Sequence, residues 1–202
     1  TYLNAFTNPE LFMLKKHSEG DVLLCGNYGD PNLGDEWMLQ TMLEYLGRYC
    51  SKKVTVMLAP NRCYDVSSYR NVNFIHFPQT IYDFATLADN FDEIIFGGGA
   101  IVEEEYYQEK YDFGVALSRI LSDLSLEFIK RGKKVFIIGV SASKELKKTE
   151  FIQKMKKVFC EAWSITVRDK NTLDTLKKAG ISTERTNLIP DIVYANTSLN
   201  KY

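Results

Sequence analysis

Long hydrophobic runs are missing from this chain. A membrane-spanning helix needs about 18 consecutive apolar residues, and the longest candidates, Glu93 to Phe96 and Val135 to Val140, have the length of a β-strand. No membrane span is therefore expected. An excess of one charge sign is missing too. The 25 Lys and Arg residues meet 26 Asp and Glu, for a net charge of -1, without the cationic surplus that attracts nucleic acid or anionic lipid. Nucleic acid is not expected as a partner. Cysteine and histidine are sparse: Cys25, Cys50, Cys63 and Cys160 show no paired spacing, and only His17 and His76 could join them. Neither a metal site nor a disulfide framework is expected. A reducing compartment is the simpler setting, and residues Thr1 to Glu10 lack the charged-then-apolar pattern of a secretion leader, so the expected location is cytoplasmic.

Proline is scarce, with five in 202 residues, and no Gly/Ser-rich linker interrupts the chain. The expected division is a lead-in over 1–20, one folded domain over 21–193, and a tail or start of a connection over 194–202. What is present is a globular composition, 45% hydrophobic and 25% charged, sufficient for a buried core.

Short β-rich runs alternate with longer segments of helical period, the pattern of a parallel α/β sheet. Asp21 to Cys25, Lys53 to Leu58, Val72 to His76, Glu93 to Phe96, Lys134 to Val140, Ser164 to Arg168 and Asn187 to Ile189 read as strands. Most are continuously apolar, as strands covered on both faces should be. Between them, Leu39, Met42, Leu43 and Leu46 mark a helix from about Gly34 to Tyr49, and Ile81, Phe84, Ala85 and Ala88 mark a second. The longest helix is predicted from about Phe113 to Arg131, ended by Gly132 in the left-handed conformation. Phe151, Met155, Val158 and Phe159 mark another, and Asp169 is placed to cap Lys170 to Ala179 before Gly180. The predicted fold is a Rossmann-like, doubly wound, mostly parallel sheet with helices on both faces.

In such a sheet ligands bind at the carboxyl ends of the strands, so the residues following each strand carry the functional reading. After the first strand comes Gly26-Asn27-Tyr28-Gly29-Asp30-Pro31-Asn32-Leu33-Gly34-Asp35-Glu36, glycines interleaved with amides and carboxylates leading into a helix. Glycine permits close backbone approach and a helix N-terminus offers free N–H groups. The spacing is neither a dinucleotide fingerprint nor a phosphate loop. The carboxylates Asp30, Asp35 and Glu36 would repel a phosphate, which favours sugar hydroxyls as partners. Alternatively, Asp35 and Glu36 complement the helix dipole while Asn32 caps it.

The fourth strand runs into Gly97-Gly98-Gly99, where a ligand or another backbone can lie against the sheet, followed by the acidic and aromatic stretch Glu103-Glu104-Glu105-Tyr106-Tyr107. The sixth ends in Arg168-Asp169, and Arg is the natural fork for a carboxylate or phosphate; a structural Arg168–Asp169 pair is the alternative. Asp191, after Pro190, is a further candidate of the same kind. His76 reads as a packing or capping residue, Cys25 as an inert buried thiol, and the lysines at 144, 147, 148, 154, 156 and 157 as a solvated helix face.

Four segments in order, Gly26 to Glu36, Ile94 to Gly99, Val135 to Val140 and Ile165 to Asp169, closed by Pro190-Asp191, resemble the polysaccharide pyruvyl transferase family. The resemblance implies one half of a GT-B-like architecture and transfer of a pyruvyl group from phosphoenolpyruvate to a sugar of a cell-surface polysaccharide precursor, with ketal formation and phosphate release. No cofactor is implied beyond that donor substrate. A sugar or glycan precursor is the implied partner, and there is room for a homo-oligomer. Carried onto these positions, the implied catalytic residues are Asp35 as base and Arg168 as donor clamp. Gly26, Asn27, Gly29, Asp30, Asn32, Gly34, Gly97, Gly98, Gly99, Asp169 and Asp191 are the implied substrate contacts. The turn Gly139-Val140-Ser141-Ala142-Ser143 departs from the Gly-Gln-Gly-Ile-Gly-Pro of many relatives, and the family's second domain, with its general-acid His, has no counterpart in these 202 residues. Two other functions fit the same residues: a GT-B-type glycosyltransferase using a nucleotide sugar, and a non-catalytic sugar-binding module.

Overall fold

The structure, a computed structural model, describes residues 21–29, 32–59, 72–104, 110–111, 114–142 and 145–195. The expected lead-in, Asp30, Cys63, Glu105 to Tyr107, Ser143, Lys144 and the tail beyond 195 lie outside the described residues.

All seven expected strands form one sheet. In it β1 (Val22–Cys25) lies between β2 (Val54–Leu58) and the central strand β4 (Glu93–Gly99), with β3 (Val72–His76) outside β2. Beyond β4 come β7 (Lys134–Val140), β8 (Ser164–Val167) and β9 (Thr186–Leu188). Each pair is parallel. A separate antiparallel pair, β5 (Lys110–Tyr111) and β6 (Gly114–Val115), precedes the long helix.

Side chains alternate across the strands and divide the core in two. Leu23, Cys25, Ile94, Phe96, Val135 and Ile137 face one layer. It is completed by Phe84 and Leu87 of α2 (Asp83–Asn90), Phe128 of α3 (117–130), Met155 and Phe159 of α4 (Thr149–Glu161) and Leu176 of α5 (Lys170–Lys178). Val22, Leu24, Val54, Val56 and Ile95 face the other, under Met38, Leu39 and Met42 of α1 (Leu33–Tyr49). The helix α3 starts at Leu117–Arg119, passes through a π turn at Ile120–Leu124 and resumes as Ser125–Lys130.

Three expectations are corrected. The triple glycine is strand, not the loop after one: β4 continues through Gly99 because Gly97 and Gly99 pair with Ile138 and Val140 of β7. The long helix begins at Leu117, since Gly114–Val115 is taken by β6, and its regular period is broken by the π turn. In α2 the buried stripe is Phe84, Leu87 and Ala88; Ala85 is exposed and Ile81 is 44% exposed. There the Thr80 amide and hydroxyl both donate to Asp83 Oδ2, which makes residues 80–83 a turn and starts the helix at Asp83. Gly132 and Gly180 do end their helices at positive φ, 68° and 69°, as predicted.

Candidate functional site

The chain leaves β1 toward β2 on one side and β4 toward β7 on the other, so strand order reverses between β1 and β4. Divergent connections open a crevice at the carboxyl ends of those two strands. Two glycine-bearing segments meet there: residues 26–29 after β1, and Gly97 to Gly99 ending β4.

Tyr28 joins them. Its ring is fully buried although it belongs to a loop, and its hydroxyl donates to the Gly97 carbonyl. A methyl group at Gly26 would overlap the ring, and one at Gly97 would lie 2.5 Å from the phenolic oxygen. These two glycines therefore make room for Tyr28. Gly29, at φ 84°, turns the chain, and its amide donates to Glu36 Oε1 at 2.9 Å. The loop is tied to β2 by the Ala59 amide, which donates to the Tyr28 carbonyl at 2.9 Å.

Asp35 sits in the first turn of α1 and is buried. Its Oδ2 accepts from Asn27 Nδ2 at 3.1 Å and from Asn32 Nδ2 at 2.7 Å. Asn32 also caps the helix, its Oδ1 accepting from the Gly34 amide at 3.1 Å. Both ends of its carboxamide are thus committed: it holds Asp35 and starts the helix at once. A Cβ on Gly99 would lie 3.5 Å from Asp35 Oδ1, so this carboxylate faces the bare end of β4. Gly34 is exposed beside the cap.

Arg168 follows β8 at the same edge. Its Nη1 donates to Asp191 Oδ2 at 2.9 Å, while Nε stands 4.0 Å from Asp169 Oδ2. The structural partner is therefore Asp191 rather than the sequence neighbour, because Asp169 is engaged elsewhere. Its Oδ1 accepts from the Thr172 amide and hydroxyl at 2.7 and 2.8 Å, the N-cap of α5. Asp191 opens a 3-10 turn at Ile192–Ala195, its Oδ1 accepting from the Val193 amide at 3.1 Å.

That turn lies over the middle of the sheet. Cβ atoms on Gly98 and Gly139 would lie 3.0 and 2.7 Å from Ile192 side-chain carbons, so the two glycines form a notch for Ile192. Gly98 also packs against Met38. Gly139, at φ 62°, stands where the β7–β8 register shifts, and its amide donates to Thr166 Oγ1 at 2.7 Å. Past it, the Ser141 amide donates to the Gly99 carbonyl and the Ala142 amide to Thr172 Oγ1.

Other singled-out residues fall away from this crevice. His76 ends the edge strand β3. Glu104 accepts from the backbone amides of Lys147 and Lys148 and so fastens the approach to α4. Lys154 pairs with Asp123 and Glu150. Cys25 is buried, and burial pushes its thiol far above the ordinary value, which leaves it a neutral packing group. No group of three or more metal-ligating side chains occurs among the described residues, and no helix among them is long and apolar enough to cross a membrane.

Sequence reasoning missed Tyr28 and Ile192. The available signal was an aromatic flanked by Gly26 and Gly29: in a loop leaving a buried strand, such spacing makes room for a ring against bare backbone.

The fold is that of a Rossmann-like α/β protein, with carboxylates and glycines gathered at the switch point of its parallel sheet. The chain belongs to the polysaccharide pyruvyl transferase family, whose model matches residues 32–202. The match takes in Asn32, Asp35, the triple glycine, Arg168 and Asp191, and starts after Gly26 to Pro31. The family name sets the class of activity, a transferase, and the class of acceptor, a polysaccharide. A search of curated proteins finds no match.

Proposed function

We propose that this chain forms the acceptor-side half of a cleft in which a pyruvyl group passes from phosphoenolpyruvate to hydroxyls of a polysaccharide precursor. The observation that carries the reading is Asp35, buried and held through Oδ2 by two asparagine amides. A buried carboxylate held in one orientation by two amides at the carboxyl edge of the sheet is placed to take a proton from a sugar hydroxyl. Its neighbours Glu36, Asp169 and Asp191 make the edge anionic, so a neutral diol is the better match there and an anionic donor must find Arg168.

The chemistry balances with these groups. A proton added to the methylene carbon of phosphoenolpyruvate leaves an oxocarbenium-like centre at C2, and one sugar hydroxyl attacks it, giving its proton to Asp35. Phosphate then departs with its bonding electron pair and a proton, and the second hydroxyl closes the ketal. Of the diol's two protons, one is balanced by the new methyl group and the other by hydrogen phosphate. Arg168 steadies the donor's carboxylate or phosphate through its planar fork. The acid that protonates the methylene carbon comes from a second domain facing this edge. The setting is cytoplasmic, where phosphoenolpyruvate is available, and the only cofactor-like species is that donor.

Phosphate release from phosphoenolpyruvate in the presence of diol-bearing saccharides, in wild type and Arg168→Ala, tests the reading. We expect release when this domain is joined to the second domain that supplies the acid, and its loss in the Arg168→Ala variant of that longer form. Calorimetry giving tight binding of a UDP-sugar with no response to phosphoenolpyruvate would replace this reading with a nucleotide-sugar glycosyltransferase.

A further inference from the structure

Both carboxylate oxygens of Asp191 are committed: Oδ2 to Arg168 Nη1 at 2.9 Å, Oδ1 to the amide of Val193 at 3.1 Å. The first contact fixes a guanidinium, the second opens the turn Ile192–Ala195, whose Ile192 fills the notch at Gly98 and Gly139. Arg168 and Asp191 are 29% and 28% exposed, so the pair is half-buried and only partly screened by water. Arg168 is fixed at its backbone as well, its amide donating to the Val140 carbonyl at 3.1 Å. Among the described residues its Nη2 makes no hydrogen bond. The Nε–Nη2 edge, where Asp169 Oδ2 stands 4.0 Å from Nε and beyond hydrogen-bond distance, is the side of the fork that a second, bidentate oxyanion can approach.

We propose that Asp191 is a positioning residue for Arg168 and that it couples the set of the guanidinium to the seating of residues 192–195 over the sheet. The anion part of this proposal rests on the pyruvyl reading above; the coupling does not. Charge and positioning predict opposite signs. As a mere acidic neighbour, Asp191 would weaken anion binding at Arg168, and its removal would tighten it. As a positioning residue it holds a long side chain that would otherwise be frozen on binding, and its removal weakens binding by about tenfold.

The test uses the full 202-residue chain as wild type, Asp191→Ala, Asp191→Asn and Arg168→Ala, each checked for folding by its thermal midpoint. Phosphoenolpyruvate is titrated calorimetrically, and amide hydrogen exchange is followed at Val193 to Ala195. Asp191→Ala is expected to bind the donor about tenfold more weakly and to exchange faster at those amides. Asparagine is a good cap, so Asp191→Asn is expected to keep the Val193 amide protected while losing donor affinity, which separates the two tasks. Arg168→Ala should also speed exchange at 193–195. Donor binding by Asp191→Ala as tight as wild type, or tighter, overturns the positioning role and leaves the pyruvyl reading standing. Unchanged exchange in Arg168→Ala overturns the coupling. Wild type that does not bind phosphoenolpyruvate defeats the pyruvyl reading and the anion role together, and the exchange result then decides the coupling by itself.

Discussion

Tyr28 and Gly97 stand 69 positions apart in sequence and touch at the switch point, the phenolic hydroxyl donating to the glycine carbonyl. The contact explains why the loop after β1 and the end of β4 are both rich in glycine: the fold needs space for a ring before it needs space for a ligand.

Glycines of this chain should therefore divide by neighbourhood. Gly97→Ala would bring a methyl within 2.5 Å of the Tyr28 oxygen, and overpacking of this kind costs about 1–3 kcal/mol. Gly47, inside α1 with nothing within 4 Å of a Cβ, should gain about 0.5–1 kcal/mol on change to Ala. Urea denaturation of the two variants tests the contrast; equal effects would mean that Tyr28 does not fill the space assigned to it.

Asn32 offers a second contrast. Asn32→Ala removes the cap of α1 and should cost about 0.5–2 kcal/mol of stability along with the alignment of Asp35. Asn32→Asp keeps a good capping oxygen but sets a carboxylate against Asp35 in place of the amide donor at 2.7 Å. It should retain most of the stability and lose activity. Thermal midpoints read beside phosphate release separate the two, and full activity in Asn32→Asp would remove Asp35 from its catalytic place.

Alkaline pH should weaken the fold. Burial raises the thiol of Cys25 above its ordinary value of 9.0, and burial first, then the nearby Cys25, Asp35 and Glu36, raises the hydroxyl of Tyr28. Both acids hold their protons longer folded than unfolded. Their contribution is whole below the unfolded values and is lost as pH rises beyond them, by up to about 1.4 kcal/mol per pH unit for each group. Denaturation midpoints between pH 8 and 11 should fall from about pH 9 in wild type. In Cys25→Ala the fall should begin about one unit later, where the phenol takes over. Parallel curves would assign the alkaline loss to other groups.

The parts of this fold that were legible in sequence were those decided by near neighbours. Seven β-rich runs, most of them apolar, became the seven strands of the parallel sheet, and Asp169 caps α5 because the cap bond spans only three residues. Decisions made across the sheet were not legible. Arg168 takes Asp191 only because β8 and β9 are adjacent, and 23 residues separate the two in sequence. The triple glycine is strand because β7 supplies its pairing. The β5–β6 pair is two residues deep on each side, too short to leave a period. Of the candidate site, the residue types were evident, but which glycines serve packing and which border the crevice depends on where Tyr28 and Ile192 lie.

Ile192 brings the chain back from β9, the outermost strand, to the backbone of β4 and β7. Tension applied to the polypeptide beyond Ala195 would thus be borne at the centre of the sheet, at Gly98 and Gly139, before it reached β9. An outer strand can peel away one hydrogen bond at a time, whereas an anchorage at the middle resists as a unit. In a pulling experiment from the carboxyl side, Ile192→Ala should lower the first rupture force.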